Sequence, residues 1–161
     1  MIEEIEFSGQ TLIPAARDFA VKAHEGMADI SVTGFVRPQI LHLQEVADLI
    51  WVSGGSEEEI AAAWLHDSVE DASIAPEEIE ENFGQNIARI VEGLGRLEKF
   101  RGLPVATHKM MQAETIKNES ESVRRIKMAD QISNVRFLGM APIVAMSLTE
   151  CRGTLRGEAG R

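Results

Sequence analysis

Apolar residues recur at helical spacing along almost the whole of this 161-residue chain. Between Leu12 and Ala23 they stand at i, i+4, i+7, i+8 and i+11, and similar stripes run through 40–50, 87–94 and 123–138. Such spacing puts apolar side chains on one face of an α-helix, whereas a half-buried strand needs strict alternation. No regular alternation of strand and helix signals interrupts these stripes. The pattern therefore predicts an all-α fold of about six to eight helices.

Capping residues mark where several of these helices begin. Ser56, followed three residues later by Glu59, is a capping box, in which each side chain bonds the backbone N–H of the other residue. We expect a helix to begin there and to run through Val69. The helix before it opens after Pro38, because proline is tolerated at helix starts. The segment 26–37 contains glycine, serine and threonine and reads as a loop, in which a short hairpin would be an accessory.

The length of the chain indicates a single domain. A chain of 161 residues has ordinary domain size and needs no disulfide or metal merely to stay folded. We expect the domain to occupy residues 1–152 and the glycine-rich tail 153–161 to be disordered. Cys151 is the one cysteine, which excludes an intramolecular disulfide and a cysteine-rich zinc site and is typical of a reducing cytoplasm.

The charge of the chain restricts its partners. Sixteen basic and 26 acidic residues give a formal net charge of −10. Proteins that bind nucleic acids or anionic membranes need a basic face, so the composition argues against both classes. A small phosphorylated ligand stays compatible, because it needs only a local cluster of cations or a metal ion. With neither a basic signal peptide nor an apolar stretch long enough to span a bilayer, we expect a cytoplasmic protein.

Four ionisable residues crowd the end of the predicted third helix. His66 and Asp67 follow a run of alanine, tryptophan and leucine, and Glu70 and Asp71 stand one helical turn later. Burying several carboxylates without partners costs several kcal/mol each or forces protonation. A divalent cation removes the problem, since imidazole and carboxylate are both good ligands for Mn²⁺, Fe²⁺ or Zn²⁺. The alternative is an exposed helix end on which the acids are simply solvated.

Two further residues lie in apolar surroundings on other predicted helices. His42 stands in a stretch rich in isoleucine and leucine, and Asp130 stands among Ile126, Met128 and Ile132. A buried aspartate is rare unless it is paired, whereas a lone histidine can be a satisfied core residue. Two histidines and two aspartates from three converging helices would form one metal site with open positions for water and substrate oxygens.

The order of these residues resembles the H…HD…D signature of the HD-domain metal-dependent phosphohydrolases. The match extends to three segments, 63–71, 78–93 and 126–136, which resemble "LLHDxVEDT", "EIxxxFGxxVAxLVxGVTKL" and "VKLADRLxNMR" of the (p)ppGpp hydrolase branch. That branch comprises the hydrolase domain of RelA/SpoT proteins and the small stand-alone SpoT homologues. The similarity covers residues 12–140, so the chain is identified as a member of this family with the all-α HD-domain bundle.

The resemblance implies roles for individual residues. The metal ligands would be His42, His66, Asp67 and Asp130, with Mn²⁺ as the expected ion. Glu70 and Asp71 match the acidic pair that orients and deprotonates the attacking water. The candidate substrate contacts are Lys109, Lys127, Asn134 and Arg37, although each of the two lysines and Arg37 has an ordinary surface role as its alternative. The implied reaction is removal of the 3′-pyrophosphate from a guanosine polyphosphate such as (p)ppGpp.

Two departures from the family pattern leave alternatives open. The family keeps basic residues after "HxGQ", whereas 27–31 carries no cation, and the tyrosine and second proline of "PYxxHP" are absent around His42. The substrate could therefore be a different phosphorylated nucleotide or dinucleotide, or the chain could be a non-catalytic nucleotide-sensing module. The short C-terminus allows either a more open site or a site that a partner subunit covers in a homodimer. We expect His108, which matches no family motif, on the surface.

Overall fold

The structure is a computed structural model that describes residues 11–30, 34–100 and 102–154, with the backbone alone over 139–154. The elements in chain order are α1 (Leu12–Ala23), β1 (Ala28–Ile30), β2 (Val36–Pro38), α2 (Gln39–Val52), α3 (Glu57–Leu65), α4 (Pro76–Phe83), α5 (Gln85–Glu98), α6 (Val105–Ile116) and α7 (Glu121–Thr154). The described part of the chain thus holds seven helices, which confirms the all-α prediction. Residues 1–10 and 155–161 lie outside the described residues, so the predicted boundaries of domain and tail stay predictions.

Helix α3 lies at the centre of the bundle. It packs against α1, α2, α5 and α7, and seven of its nine residues are buried. The three alanines Ala61, Ala62 and Ala63 are fully buried, and such small side chains let neighbouring helix axes approach closely. The largest fully buried apolar side chains around it come from α2, α4, α5 and α7 and are Leu43, Ile50, Ile79, Ile87, Leu97 and Ile126. The helical stripes of the sequence therefore face this one core.

The start of α3 is held by the predicted capping box. Ser56 Oγ accepts a hydrogen bond of 3.1 Å from the Glu59 N–H, and Glu59 Oε2 accepts one of 2.9 Å from the Ser56 N–H. The same Glu59 oxygen accepts a hydrogen bond of 3.0 Å from Arg125 on α7. The cap thus fixes the first turn of the central helix and also ties it to the long last helix.

The predicted end of α3 is wrong. We expected the helix to run through Val69, but it ends at Leu65 and turns follow. The Ser68 N–H bonds the Leu65 carbonyl three residues back, and the Asp71 N–H bonds the Asp67 carbonyl. Acidic side chains are unfavourable at the negative end of a helix dipole, which is a physical reason for the helix to end before them. Glu70 and Asp71 therefore lie in turns and not on the helix.

A small antiparallel hairpin replaces the loop predicted for 26–37. Strands β1 and β2 pair with Asp29 opposite Arg37, and the Gln39 N–H bonds the Met27 carbonyl at 3.0 Å. An isolated two-stranded hairpin is marginally stable in water and needs other elements to hold it. The hairpin is therefore an accessory to the bundle, as the sequence indicated, and it leads directly into α2. Among the described residues, no helix combines the length and apolar character that crossing a bilayer requires.

The capping box makes a testable contribution to stability. We expect Ser56→Ala to lower the free energy of unfolding by about 1 kcal/mol, because the Glu59 N–H loses its acceptor. Chemical denaturation of the purified protein measures this change. Glu57→Gln is the matched control, since it removes an exposed first-turn carboxylate and leaves the cap intact, and its loss should not exceed about 0.5 kcal/mol. Equal losses in the two variants would contradict the role of the cap.

Candidate metal centre and its cavity

The four predicted metal ligands converge from three parts of the bundle. His42 lies in the first turn of α2, His66 and Asp67 directly follow α3, and Asp130 lies on α7. All four are buried, with exposed fractions between 2% and 8%. His42 Nε2 lies 3.3 Å from Asp130 Oδ1 and 3.7 Å from Asp67 Oδ2, and His66 Nε2 lies 3.2 Å from Asp67 Oδ1. Tertiary packing therefore brings together residues that are up to 88 positions apart in the sequence.

Hydrogen bonds on the far side of each imidazole determine which nitrogen faces the cluster. His66 Nδ1 lies 2.8 Å from the Ala63 carbonyl, which can only accept, so Nδ1 carries the proton. Ser133 Oγ donates its one proton to Glu45 at 2.7 Å and therefore accepts from His42 Nδ1 at 2.9 Å. In the neutral rings, both Nε2 atoms consequently present lone pairs towards Asp67 and Asp130. This arrangement is the usual one for metal-binding histidines.

The cluster fits a divalent metal ion. Ligand atoms of His42, His66 and Asp67 lie within 4.8 Å of one another. His66 Nε2 is buried and makes no hydrogen bond with the described residues, although Asp67 Oδ1 lies near it. Asp130 adds a second carboxylate beside His42. Two imidazole nitrogens with two carboxylates form a donor set suited to Mn²⁺, Fe²⁺ or Zn²⁺.

Asp130 stays ionised although it is buried. Burial is the largest influence and alone would raise its pKa, but the close approach of His42, the nearby His66 and the Lys127 ammonium together hold the pKa well below its usual range. Lys127 Nζ donates to Asp130 Oδ2 at 2.6 Å and also to Glu98. Burial lowers the pKa of Lys127, yet the two carboxylates outweigh this effect and raise the pKa above its ordinary value. The carboxylate is therefore available to a cation.

A cavity of about 190 Å³ lies beside the cluster. The predicted site residues that line it are His42, Asp67, Asp71, Lys109, Lys127, Asp130 and Asn134. Asn134 donates from Nδ2 to Asp130 Oδ1 at 2.7 Å, and Lys109 donates to Gln131 at 3.1 Å while remaining exposed. Glu70 is half-buried in the turn that follows Asp67. The cavity thus brings seven of the predicted site residues together, and Glu70 is not part of its lining.

The cavity is rich in negative charge. Five of its lining residues are carboxylates (Asp29, Asp67, Asp71, Glu98 and Asp130), whereas Lys109 and Lys127 are its two lysines. Lys127 is already paired with Glu98 and Asp130. A phosphorylated ligand would be repelled by this surface unless a bound cation supplied positive charge. The charge of the cavity is therefore a second reason why the donor set fits a metal ion.

The structure places Arg37 away from the cavity lining. Its guanidinium bonds Asp29 Oδ2 at 2.6 Å and 3.2 Å, Ser133 Oγ at 3.1 Å and Asn134 Oδ1 at 3.1 Å. It also lies 4.4 Å from the centroid of the Phe137 ring. Of the four predicted substrate contacts, Arg37 is the one that does not line the cavity, because its guanidinium bonds protein groups behind the site.

Several residues of the site were not predicted from the sequence. Gln39 Nε2 donates to Asp67 Oδ2 at 2.8 Å and to Asp71 Oδ2 at 3.4 Å, and it stands three residues before His42. Ser133 stands three residues after Asp130, so helical spacing from the predicted ligands could have indicated both. Glu98 comes from another helix and had no such signal. His108 was expected on the surface, but it is half-buried and lines the cavity.

The chain matches a known protein family over most of its length. A family profile described as HD domain matches residues 16–147. The chain belongs to the HD-domain family. The match covers most of the chain, confirms the resemblance that the motifs indicated, and includes all the residues of the cluster described above.

The HD domain has named relatives among much longer proteins. It is 38% identical over 107 residues to a probable guanosine-3′,5′-bis(diphosphate) 3′-pyrophosphohydrolase of Synechocystis sp., covering 63% of this chain and 14% of that protein. A similarly named protein of Aquifex aeolicus is 35% identical over 107 residues, with coverage of 63% and 14%. The GTP pyrophosphokinase rsh of Brucella melitensis is 32% identical over 137 residues, with coverage of 81% and 17%. The chain thus spans about one-sixth of these relatives or less.

A solved structure shares the fold of this HD domain. It is described as a metazoan orthologue of SpoT that hydrolyses ppGpp and has a role in starvation responses. The TM-score is 0.68 at 24% sequence identity, with coverage of 81% of this chain and 72% of that chain. This likeness confirms the HD-domain bundle independently of the motifs.

The metal centre can be tested without any substrate. We expect His66→Gln and Asp67→Asn to abolish stoichiometric binding of Mn²⁺ to the metal-free protein in isothermal titration calorimetry, because each removes a ligand atom of the cluster. In the wild type, Mn²⁺ at a hundred times Kd should stabilise the fold by about 2.7 kcal/mol. His108→Gln is the matched control, since it lines the same cavity outside the cluster and should bind as the wild type. Unchanged affinity in Asp67→Asn would refute the assignment.

Proposed function

We propose that this HD domain is a metal-dependent phosphohydrolase that removes the 3′-pyrophosphate from a guanosine polyphosphate such as (p)ppGpp. The observation that carries the proposal is the convergence of His42, His66, Asp67 and Asp130 beside a cavity that also contains Asp71. The names of the Synechocystis and Aquifex relatives supply the substrate class. The geometry supports hydrolysis at a metal centre, and the relatives support the choice of nucleotide.

The proposed mechanism assigns distinct tasks to the residues of the site. A divalent ion, when bound, would supply Lewis acidity for the water and the phosphoryl oxygens. His42 and His66 would hold it through Nε2, and the hydrogen bonds on their Nδ1 atoms restrain rotation of the rings. Asp67 and Asp130 would complete the donor set, and Gln39 orients Asp67 by donating to its Oδ2.

Glu70 is the proposed general base, and Asp71 orients the attacking water together with it. Glu70 takes a proton as the water oxygen bonds to phosphorus, and the bond from phosphorus to the ribose 3′ oxygen breaks. Glu70 then returns this proton to the leaving 3′ oxygen, so that the nucleoside phosphate and pyrophosphate depart and the carboxylate is regenerated. Gln39 donates to Asp71 Oδ2 at 3.4 Å, which links the acidic pair to the metal-binding side chains.

Lys109 and Asn134 are the proposed contacts to the substrate. Lys109 is exposed at the cavity, where its ammonium can meet a phosphate group, and Asn134 lines the cavity beside Asp130. Lys127 would act mainly by holding Asp130 and Glu98, since both carboxylates already bond it. We propose Mn²⁺ as the ion, because the donor set suits it. The proposed location is the cytoplasm, which the single cysteine supports. A homodimer in which the partner subunit covers the site stays a prediction from the sequence.

A second candidate substrate is a different phosphorylated nucleotide or dinucleotide. The observation that favours it is Asp29, which lines the cavity on the hairpin where the family pattern has basic residues. Asp29 is ion-paired with Arg37, so the hairpin offers the cavity a neutralised carboxylate, which can accept hydrogen bonds from base or ribose groups, in place of the free cations of the family pattern. A screen of the Mn²⁺-loaded protein against ppGpp, related nucleotides and phosphorylated dinucleotides separates the two candidates. Absence of turnover with the whole panel would favour a nucleotide-sensing module.

The proposed base can be tested separately from the metal. We expect Glu70→Gln to lower kcat for Mn²⁺-dependent ppGpp hydrolysis by at least about 100-fold, because a general base contributes that much or more. The Kd for Mn²⁺ should stay unchanged, as Glu70 is no ligand in this mechanism. Glu77→Gln, an exposed carboxylate in the first turn of α4, is the matched control and should keep full activity. Full activity of Glu70→Gln would exclude it as the base.

Lys109 provides a test of the substrate contact. We expect Lys109→Met to raise KM for ppGpp by about 10-fold with little change in kcat, because a phosphate contact made equally in the ground and transition states is uniform binding. Steady-state kinetics with saturating Mn²⁺ measure both constants. Lys117→Met removes an exposed lysine at the C-terminal end of α6, and its kinetics should match the wild type. An unchanged KM in Lys109→Met would place the phosphate elsewhere.

A further inference from the structure

Arg37 is held in a single position by groups from two different elements. Its guanidinium binds Asp29 across the hairpin and Ser133 and Asn134 on α7, and it stacks over Phe137. Only 10% of the side chain is exposed. The planar guanidinium presents five donors in a fixed fork, so it can serve three acceptors at once. A residue bonded in this way is a structural anchor and not a mobile substrate contact.

The first acceptor on α7 connects Arg37 to a metal ligand. Arg37 Nη1 donates to Ser133 Oγ at 3.1 Å, and this hydroxyl also accepts from His42 Nδ1 at 2.9 Å. Glu45 Oε2 takes the hydroxyl proton at 2.7 Å. With its proton directed to Glu45 and its lone pairs directed to Arg37 and His42, Ser133 Oγ has a defined orientation. That orientation keeps the proton of His42 on Nδ1 and the lone pair of Nε2 towards the metal cluster.

The second acceptor connects Arg37 to another metal ligand. Arg37 Nη2 donates to Asn134 Oδ1 at 3.1 Å, and Asn134 Nδ2 donates to Asp130 Oδ1 at 2.7 Å. The guanidinium can only donate, so the amide oxygen must face Arg37 and the amide nitrogen must face Asp130. Arg37 therefore determines which way the amide of Asn134 points. Through one intervening residue in each case, it reaches two of the four ligands.

We propose that Arg37 is a positioning residue of the metal centre, which orients His42 through Ser133 and Asp130 through Asn134. The inference rests on the metal centre of the proposed function and adds a role for a residue of the hairpin. Groups behind metal ligands commonly change metal affinity by about 10-fold to 100-fold when they are removed. Lysine cannot replace this arginine, because one ammonium on a flexible stem does not reproduce the fork that spans Asp29, Ser133 and Asn134.

The test measures binding of Mn²⁺ alone to metal-free protein, with no nucleotide present. We expect Arg37→Met and Ser133→Ala each to raise the Kd about 10-fold in isothermal titration calorimetry. The double variant should lose less affinity than the two single losses combined, because Arg37 acts on His42 through Ser133. The electron paramagnetic resonance spectrum of bound Mn²⁺ should change in each variant, since the ligands are less well ordered. A role confined to folding would leave that spectrum unaltered.

Arg136→Met is the matched control. Arg136 also bonds Glu45, at 3.0 Å, but it is exposed and makes no hydrogen bond with Ser133 or Asn134 among the described residues, so its loss should change Kd by less than about twofold.

 Thermal unfolding of the metal-free variants checks that each one is folded. If Arg37→Met fails to fold, Arg37→Lys replaces it and should also bind Mn²⁺ about 10-fold more weakly. Wild-type Kd in a folded Arg37 variant, or an equal loss in Arg136→Met, would overturn the proposal.

The outcome is distinguishable from that of the proposed function. A wild type that binds Mn²⁺ in an Arg37-dependent manner but hydrolyses no ppGpp would leave the positioning role standing and refute the proposed reaction. A wild type that hydrolyses ppGpp while Arg37→Met keeps the wild-type Kd and spectrum would refute the positioning role and support the reaction.

Discussion

The burial of two imidazoles against two carboxylates is the constraint around which this bundle is arranged. His42, His66, Asp67 and Asp130 are buried where three parts of the bundle meet, and an unpaired buried charge is unfavourable by several kcal/mol. The chain offsets this by surrounding the carboxylates with donors, among which Lys127 bonds Asp130 directly. A divalent cation would complete the compensation. The contacts among α2, α7 and the turn after α3 therefore depend both on packing and on the compensation of buried charge.

The central helix shows how local structure serves this constraint. Its start is fixed by the Ser56 and Glu59 capping box and by Arg125 from α7, so its position relative to the last helix is defined. It ends at Leu65, and Asp67 in the turn that follows lies 3.7 Å from His42 Nε2. The residues that directly follow the central helix, His66 and Asp67, therefore belong to the cluster.

The distribution of charge around the cavity links the metal to the choice of ligand. Carboxylates outnumber lysines on its walls, and Lys127 is already neutralised by Glu98 and Asp130. A phosphorylated ligand therefore depends on the positive charge of a bound cation and on Lys109. The hairpin contributes Asp29 to the wall and Arg37 to the groups behind it, so one short element affects both the surface that a ligand meets and the order of the metal ligands.

The sequence by itself determined the helical class, because apolar spacing depends only on local geometry, and it predicted which four residues to look for as ligands, because His66-Asp67 and Asp130 lie in family motifs. Only the tertiary structure decided the end of α3, the position of Arg37 and the roles of Ser133 and Glu98. Each of these depends on atoms from distant segments: Arg37 meets Ser133 and Asn134 nearly a hundred residues away, and Glu98 meets Lys127 from another helix. Local sequence patterns do not predict such contacts, because the contacts form only when the helices pack.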